Sequence, residues 1–166
     1  MEYTYDVTMV RDTFEHEFTY LNGFLRNVSK NGDKPAMVCP LTSCRWNYTQ
    51  LNEDCNRLAH AMKADGVGKN DVVMYMLLNS AEFVFCYLGA HKIGAINCPV
   101  NYRQAPGEIA LMLEDSKPKV FVYDAEFRKV AQDALKLSSY TPDRVVGVDV
   151  ENKETTDQGE MDYVNY

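Results

Sequence analysis

Nine glycines could cradle a phosphate, three histidines could move a proton, five cysteines could attack an electrophile or hold a metal, and 24 carboxylates could pair for acid–base work. Each of these chemistries demands a spacing. A dinucleotide cradle needs GxGxxG, which does not occur in the sequence. Gly89-Ala90-His91-Lys92-Ile93-Gly94 supplies the GxxxxG half of a P-loop. Ala95 and Ile96, however, stand where the Lys that reaches phosphate and the hydroxyl that holds magnesium belong, and the pattern closes a helix instead of opening one. His16, His60 and His91 are isolated along the chain. Cys39, Cys44, Cys55, Cys86 and Cys98 form no CxxC, have no His at ligand spacing and are odd in number, so neither a zinc site nor a disulfide framework is expected. No Gly-x-Ser-x-Gly elbow or Cys/His signature marks a nucleophile. Glu53-Asp54 and Glu114-Asp115 are adjacent on helices, where neighbours point in different directions and cannot share a substrate bond. Arg103 and Arg128-Lys129 are the basic groups whose position could bring them to a phosphate. No residue is assigned as catalytic, cofactor-binding or metal-ligating.

The elements that would position these groups follow from periodicity. Phe18, Leu21, Leu25 and Val28 share a helix face, with Gly32 suited to a left-handed position after its end. Ala36 to Cys39 and Cys44 to Tyr48 flank the turn Pro40-Leu41-Thr42-Ser43 and predict a β-hairpin. Thr49 is placed to cap a helix with the stripe Leu51, Cys55, Leu58, Ala59 and Met62, ending before Gly66. Val72 to Leu78 is continuously apolar, the pattern of a parallel strand covered on both faces. Asn79-Ser80 caps a helix bearing Phe83, Val84, Tyr87, Leu88 and Ile93; Gly94 ends it, and Ala95 to Cys98 is a short strand stopped by Pro99. Pro106 opens a helix with Ile109, Met112 and Leu113 inward, Lys119 to Tyr123 is a strand, and Asp124 opens a helix presenting Phe127, Val130, Ala131, Ala134 and Leu135. Val145 to Val148 is the last strand. Such alternation predicts an α/β fold: a doubly wound, mostly parallel sheet flanked by helices, with a small N-terminal β-hairpin.

A chain of 166 residues with 46% apolar and 25% charged residues has the composition of one globular domain. The net charge of −7 is uneven: 1–142 carries 17 acids and 15 bases (−2), and 143–166 carries 7 acids and 2 bases (−5). Residues 1–150 read as the folded unit and 151–166 as an acidic linker leading to a missing remainder. The acidic balance and the absence of a Lys/Arg block argue against nucleic acid as partner. The longest apolar run, Val72 to Leu78, falls far short of the ~20 residues of a membrane span. The polar start Met1 to Asp6 lacks a signal-peptide pattern, so a cytoplasmic location is expected.

Five segments, read in order, resemble the N-terminal subdomain of the AMP-forming acyl-CoA synthetases of the adenylate-forming ligase superfamily. They are Trp46-Asn47-Tyr48-Thr49-Gln50-Leu51, Gly66 to Val73, Asn79-Ser80-Ala81-Glu82-Phe83, Leu88 to Asn101, and Glu108 to Ser116. Asn70 stands where a Gly is more usual, and Gln50 where an acidic residue is common. The resemblance implies a two-step reaction, in which a carboxylate attacks ATP to give an acyl-adenylate and the coenzyme A thiol then displaces AMP. It implies ATP, Mg2+ and coenzyme A as cofactors of a full-length enzyme and a small-molecule carboxylic acid as its substrate. The loop Val100-Asn101-Tyr102-Arg103 leans towards a fatty or related hydrophobic acid. The family's phosphate loop, adenine motif and C-terminal Lys domain lie downstream, so a 166-residue fragment is expected to be inactive and to bind none of these ligands tightly. Asn101 to Glu108 and the helix near Phe127 resemble regions bordering the coenzyme A nucleotide in some acetate-activating relatives, which makes Arg128 a phosphate candidate. The glycines of those relatives are replaced by Pro99-Val100-Asn101-Tyr102, so Arg128 stays unassigned. A face left apolar by a missing neighbour would make a homo-oligomer possible. A stand-alone flavodoxin-like ligand-binding module, or a protein-interaction module without catalysis, is the alternative.

Overall fold

The computed structural model of the chain describes residues 6–40, 42–149 and 161–162. Helix α1 (Val7–His16) starts at Asp6, whose Oδ1 accepts the Thr8 and Met9 amides at 2.9 and 3.3 Å. Helix α2 (Tyr20–Asn31) starts at Thr19. Its inward residues are Leu21, Phe24 and Val28, whereas Phe18 precedes the cap and is exposed, as is Leu25. Gly32 was expected in the left-handed region and is not there: at φ −44° and ψ −44° it continues the helical turn, and its carbonyl accepts the Thr49 amide.

Strands β1 (Pro35–Cys39) and β2 (Cys44–Asn47) form the antiparallel hairpin, running Met37 opposite Trp46 to Cys39 opposite Cys44. Helix α3 (Tyr48–Ala64) follows at once. Its cap is Asn47 and not Thr49, because Asn47 Oδ1 accepts the Gln50 amide at 2.8 Å while Gln50 Oε1 accepts the Asn47 amide at 3.0 Å, a reciprocal box that Thr49 cannot close. Leu51, Cys55, Leu58, Ala59 and Met62 are the buried stripe of α3, and Gly66 beyond it sits at φ +82°.

Strand β3 (Val72–Met76), helix α4 (Ala81–Lys92) and strand β4 (Ile96–Pro99) make a βαβ unit. Helix α5 (Pro106–Ser116) leads to β5 (Val120–Asp124), and a 3-10 turn (Ala125–Phe127) opens α6 (Arg128–Leu137), followed by β6 (Arg144–Val148). Met161–Asp162 add a two-residue strand, β7, opposite Val146 and Gly147. The remainder of the segment expected as an acidic linker lies outside the described residues. All pairings in this sheet are parallel, in the order β4-β3-β5-β6-β7.

Alternation along the strands divides the interior in two. Val73, Tyr75, Val120 and Val122 pack with the stripes of α3 and α4, whereas Met74, Met76, Phe121 and Tyr123 pack with Ile109 and Leu113 of α5 and Ala131 and Ala134 of α6. Every residue of β5 is buried, which explains why its sequence is continuously apolar up to Asp124. Both faces of the sheet are therefore covered. Among the large apolar side chains left in solvent, Val7, Met9, Phe14, Phe18 and Tyr20 lie on α1 and around the start of α2, whereas Val38, Ile96, Leu111 and Leu137 are exposed singly elsewhere.

Candidate functional site

In an open parallel sheet, ligands bind beyond the carboxyl ends of the strands, where adjacent connections leave towards opposite faces. That point lies between β3 and β5. The loop after β3 carries the chain to α4 on one face, and the turn after β5 carries it to α6 on the other.

The side chain at the centre of this edge is Asp124, the last residue of β5, only 5% exposed. Its Oδ1 accepts the Glu126 amide at 3.1 Å, which caps the 3-10 turn, while Oδ2 is buried without a hydrogen-bond partner. Burial, above all, pushes the carboxyl above its ordinary range; the Glu126 amide opposes this, and the charges of Glu126, Asp149 and Glu82 reinforce it. Glu82 Oε2 and Gln104 Oε1 are likewise buried without a hydrogen-bond partner. Ser80, also buried, uses its hydroxyl to accept the Phe83 amide at 3.4 Å and start α4. Carboxylates from the end of β5, the first turn of α4 and the segment after β6 thus act on one another at this edge, through Asp124, Glu82 and Asp149.

The loop after β4 is held to the turn after β5 by Tyr102, which stacks on Phe127 at 5.1 Å and 13°. The exposed Arg103 guanidinium lies 5.1 Å from the Tyr102 ring centroid, and its amide donates to Asn101 Oδ1 at 3.0 Å. Arg128 follows Phe127 and is half-buried. The stack thus brings together the loop that carries Arg103 and the start of α6, which carries Arg128. The charge surrounding Asp124 favours donors such as hydroxyl or amine groups over an anion.

The other groups singled out by type and spacing do structural work. Gly89 lies inside α4, where an added Cβ would stand 3.4 Å from the Cys55 carbonyl, so it is a close-approach glycine between α3 and α4. Gly94, at φ +73°, turns the chain after that helix. This pair does not fit a phosphate cradle. Among the described residues no three His, Cys, Asp or Glu side chains are grouped so as to hold a metal ion. His16 Nδ1 lies 3.0 Å from the Asp12 carbonyl, His60 is exposed, and His91 meets the Tyr87 ring edge to face at 4.6 Å. Glu114 accepts the Ser139 amide at 2.7 Å while Asp115 faces solvent, and Asp54 accepts the Trp46 indole N–H at 2.7 Å. Neither acidic pair converges. Asp124 and Gln104 were not found from the sequence. The available signal was an acid ending an otherwise apolar strand, at the carboxyl edge of a parallel sheet.

Comparison with known proteins gives this architecture its context. Residues 24–164 match the model of the family described as AMP-binding enzyme. The long-chain-fatty-acid–CoA ligase FadD13 of Mycobacterium tuberculosis is 38% identical over 110 residues, covering 66% of this chain and 22% of that protein. The 3-hydroxybenzoate–CoA ligase of an Aromatoleum species is 39% identical over 114 residues, covering 69% of this chain and 21% of that one. A crystal structure described as a long-chain-fatty-acid CoA ligase of Rhodopseudomonas palustris superposes with a TM-score of 0.77 at 26% identity, over 90% of this chain and 36% of that one. The chain thus spans about a fifth of the length of these curated relatives. No described helix is long and apolar enough to cross a membrane. The doubly wound sheet, the hairpin before it and the matched segment coincide, and on that match this chain belongs to the AMP-binding enzyme family.

Proposed function

We propose that this chain is the N-terminal part of an AMP-forming acid–CoA ligase that uses ATP, Mg2+ and coenzyme A to convert a small carboxylic acid, through an acyl-adenylate, to a thioester. The observation that carries this reading is the family match, which runs from Phe24 in α2 to beyond the last strand and so embraces both packed layers of the sheet. The chain's own contribution is structural: it supplies the covered sheet and the carboxyl-edge loops against which the downstream motifs close. In isolation we expect the chain to be inactive, because in-line attack on a phosphate needs positioned cations and a backbone cradle, and the one GxxxxG of the sequence lacks the Lys that would reach phosphate.

A hydrophobic acid is the substrate class we favour, on the apolar and aromatic character of the Val100-Asn101-Tyr102-Arg103 loop. FadD13 is named for long-chain fatty acids and the Aromatoleum enzyme for 3-hydroxybenzoate, at nearly equal identity to this chain. That near-equality fits an acyl pocket built mainly from residues outside the matched region. The experiment is acid-dependent exchange of labelled pyrophosphate into ATP, with a panel of fatty and aromatic acids. The 166-residue chain is compared with a chain extended through the downstream domains. Exchange by the extended chain alone supports the proposal, and exchange by the short chain overturns the assignment of the chemistry to downstream residues.

A further inference from the structure

Five cysteines without a metal spacing gave no framework in sequence, but the hairpin register pairs two of them. Cys39 ends β1 and Cys44 begins β2, directly opposite one another beside the turn 40–43. Opposed residues of an antiparallel pair point to the same face with Cα atoms about 4.5–5.5 Å apart. A disulfide spans about 4.4–6.8 Å between Cα atoms. The backbone therefore already holds this pair at bridging distance. Both are thiols in the structure, and their exposure differs usefully: Cys39 is 3% exposed, whereas Cys44 is partly open to solvent.

We propose that Cys39 and Cys44 form a reversible redox pair, closing to a cross-strand disulfide between β1 and β2 by exchange with an oxidised low-molecular-weight disulfide such as glutathione disulfide. The Cys44 thiolate attacks one sulfur of the glutathione disulfide, forming a mixed disulfide and releasing one glutathione thiolate. The Cys39 thiolate then attacks the Cys44 sulfur, breaking the mixed disulfide and releasing the second glutathione. Two protein thiols lose two electrons, the glutathione disulfide gains them, and the two thiol protons pass to the two released glutathiones. The bridge ties the hairpin turn, and Trp46, two residues beyond Cys44, carries that constraint into the core through its edge-to-face contact with Phe85 at 5.7 Å.

The remaining thiols are poor competitors. Burial pushes Cys55 up to about 12 against the pull of Lys92. Cys86 is raised by burial, with Glu82 and Cys55 adding to it, and Cys98 is raised by burial against its hydrogen bond with Ser116. Exchange therefore begins at Cys44, which is partly open to solvent, and closes on Cys39 opposite it in the ladder.

The test equilibrates the 166-residue chain in glutathione buffers running from fully reduced to fully oxidised, followed by acid quench, alkylation and a non-reducing peptide map. The expected result is an internal bridge between Cys39 and Cys44 that reopens in reduced buffer, with Cys55, Cys86 and Cys98 alkylated throughout. Cys39→Ser removes the resolving thiol and traps glutathione on Cys44; Cys44→Ser leaves Cys39 alkylatable. The map of the unsubstituted chain decides the question if either variant fails to fold by circular dichroism. Cys39 and Cys44 that stay alkylatable at the oxidising end overturn the proposal. So does glutathione retained on Cys44 without closure, or bridges scattered over all five cysteines.

Discussion

Arg144, the first residue of β6, grips Asp65, which caps the end of α3, with two parallel hydrogen bonds: Nε to Oδ2 at 3.1 Å and Nη2 to Oδ1 at 2.8 Å. The fork joins residues 79 positions apart and ties the helix layer to the far side of the sheet. The Arg144 side chain is 35% exposed and that of Asp65 19%, so solvent screening reduces the pair's worth. Asp65→Ala and Arg144→Ala should each cost about 1–2 kcal/mol, with a coupling of about 1 kcal/mol in a double-mutant cycle measured by urea unfolding. A coupling indistinguishable from zero would show the fork to be energetically idle.

Asn70 sits at φ +69°, with its amide donating to the Gly94 carbonyl at 2.9 Å. Asn is the side chain that best tolerates this left-handed region, and glycine tolerates it better still. The position resembles one where the ligase family more usually has glycine, and the dihedral supplies the reason. Asn70→Gly should be neutral or stabilising by a few tenths of a kcal/mol, whereas Asn70→Val should cost about 1–2 kcal/mol. Thermal midpoints of the two variants, measured side by side, separate these outcomes; equal midpoints contradict the account.

Asp124 carries a sign that can be read in pH. Its folded pKa lies above the unfolded value of 3.8, so between the two the native state binds more protons than the unfolded chain. The stability contributed by the protonated carboxyl is complete below the unfolded pKa and is lost as pH rises through the folded one. Asp124→Asn keeps an acceptor for the Glu126 amide and removes the charge. Its stability relative to the parent should therefore improve from about pH 4 to about pH 7 in urea titrations. A difference independent of pH would mean that the carboxyl ionises without strain.

Trp46 is the single tryptophan of the chain, and its indole N–H donates to Asp54 Oδ2 at 2.7 Å. Its emission consequently reports on the hairpin against α3 and α4. Asp54→Ala should shift that emission to the red and cost about 1 kcal/mol, read from denaturant midpoints. An unshifted spectrum would place the indole in the same surroundings with or without its partner.

The parallel sheet was legible because continuous apolar runs such as Val72 to Met76 and Val120 to Tyr123 need no partner to be identified as buried strands. The stripe of α3 was legible for a similar reason, since each of its five residues is buried. Helix α1 was not read from the sequence although Val7, Val10 and Phe14 fall at i, i+3 and i+7; none of its residues is buried, so that short apolar face meets no other described element as core. Asn47 was passed over as a cap because the hairpin and α3 share one junction, and the last strand residue also closes the capping box. Within the candidate site, the individual loops were visible but not their convergence. Asp124 meets the charges of Glu82 and Asp149 only through pairing of strands distant in sequence, and Tyr102 reaches Phe127 across the same gap.

The strand order has a consequence for how the chain assembles as it is made. β3 is the founding strand: β4 joins one of its edges, β5 joins the other, and β6 and β7 extend the β5 side in turn. Each new strand meets an open edge, so none has to be threaded between two that are already paired. A nascent chain leaving the ribosome from its N-terminus can thus deposit this sheet outward in the order of synthesis, with no earlier pairing undone to admit a later strand.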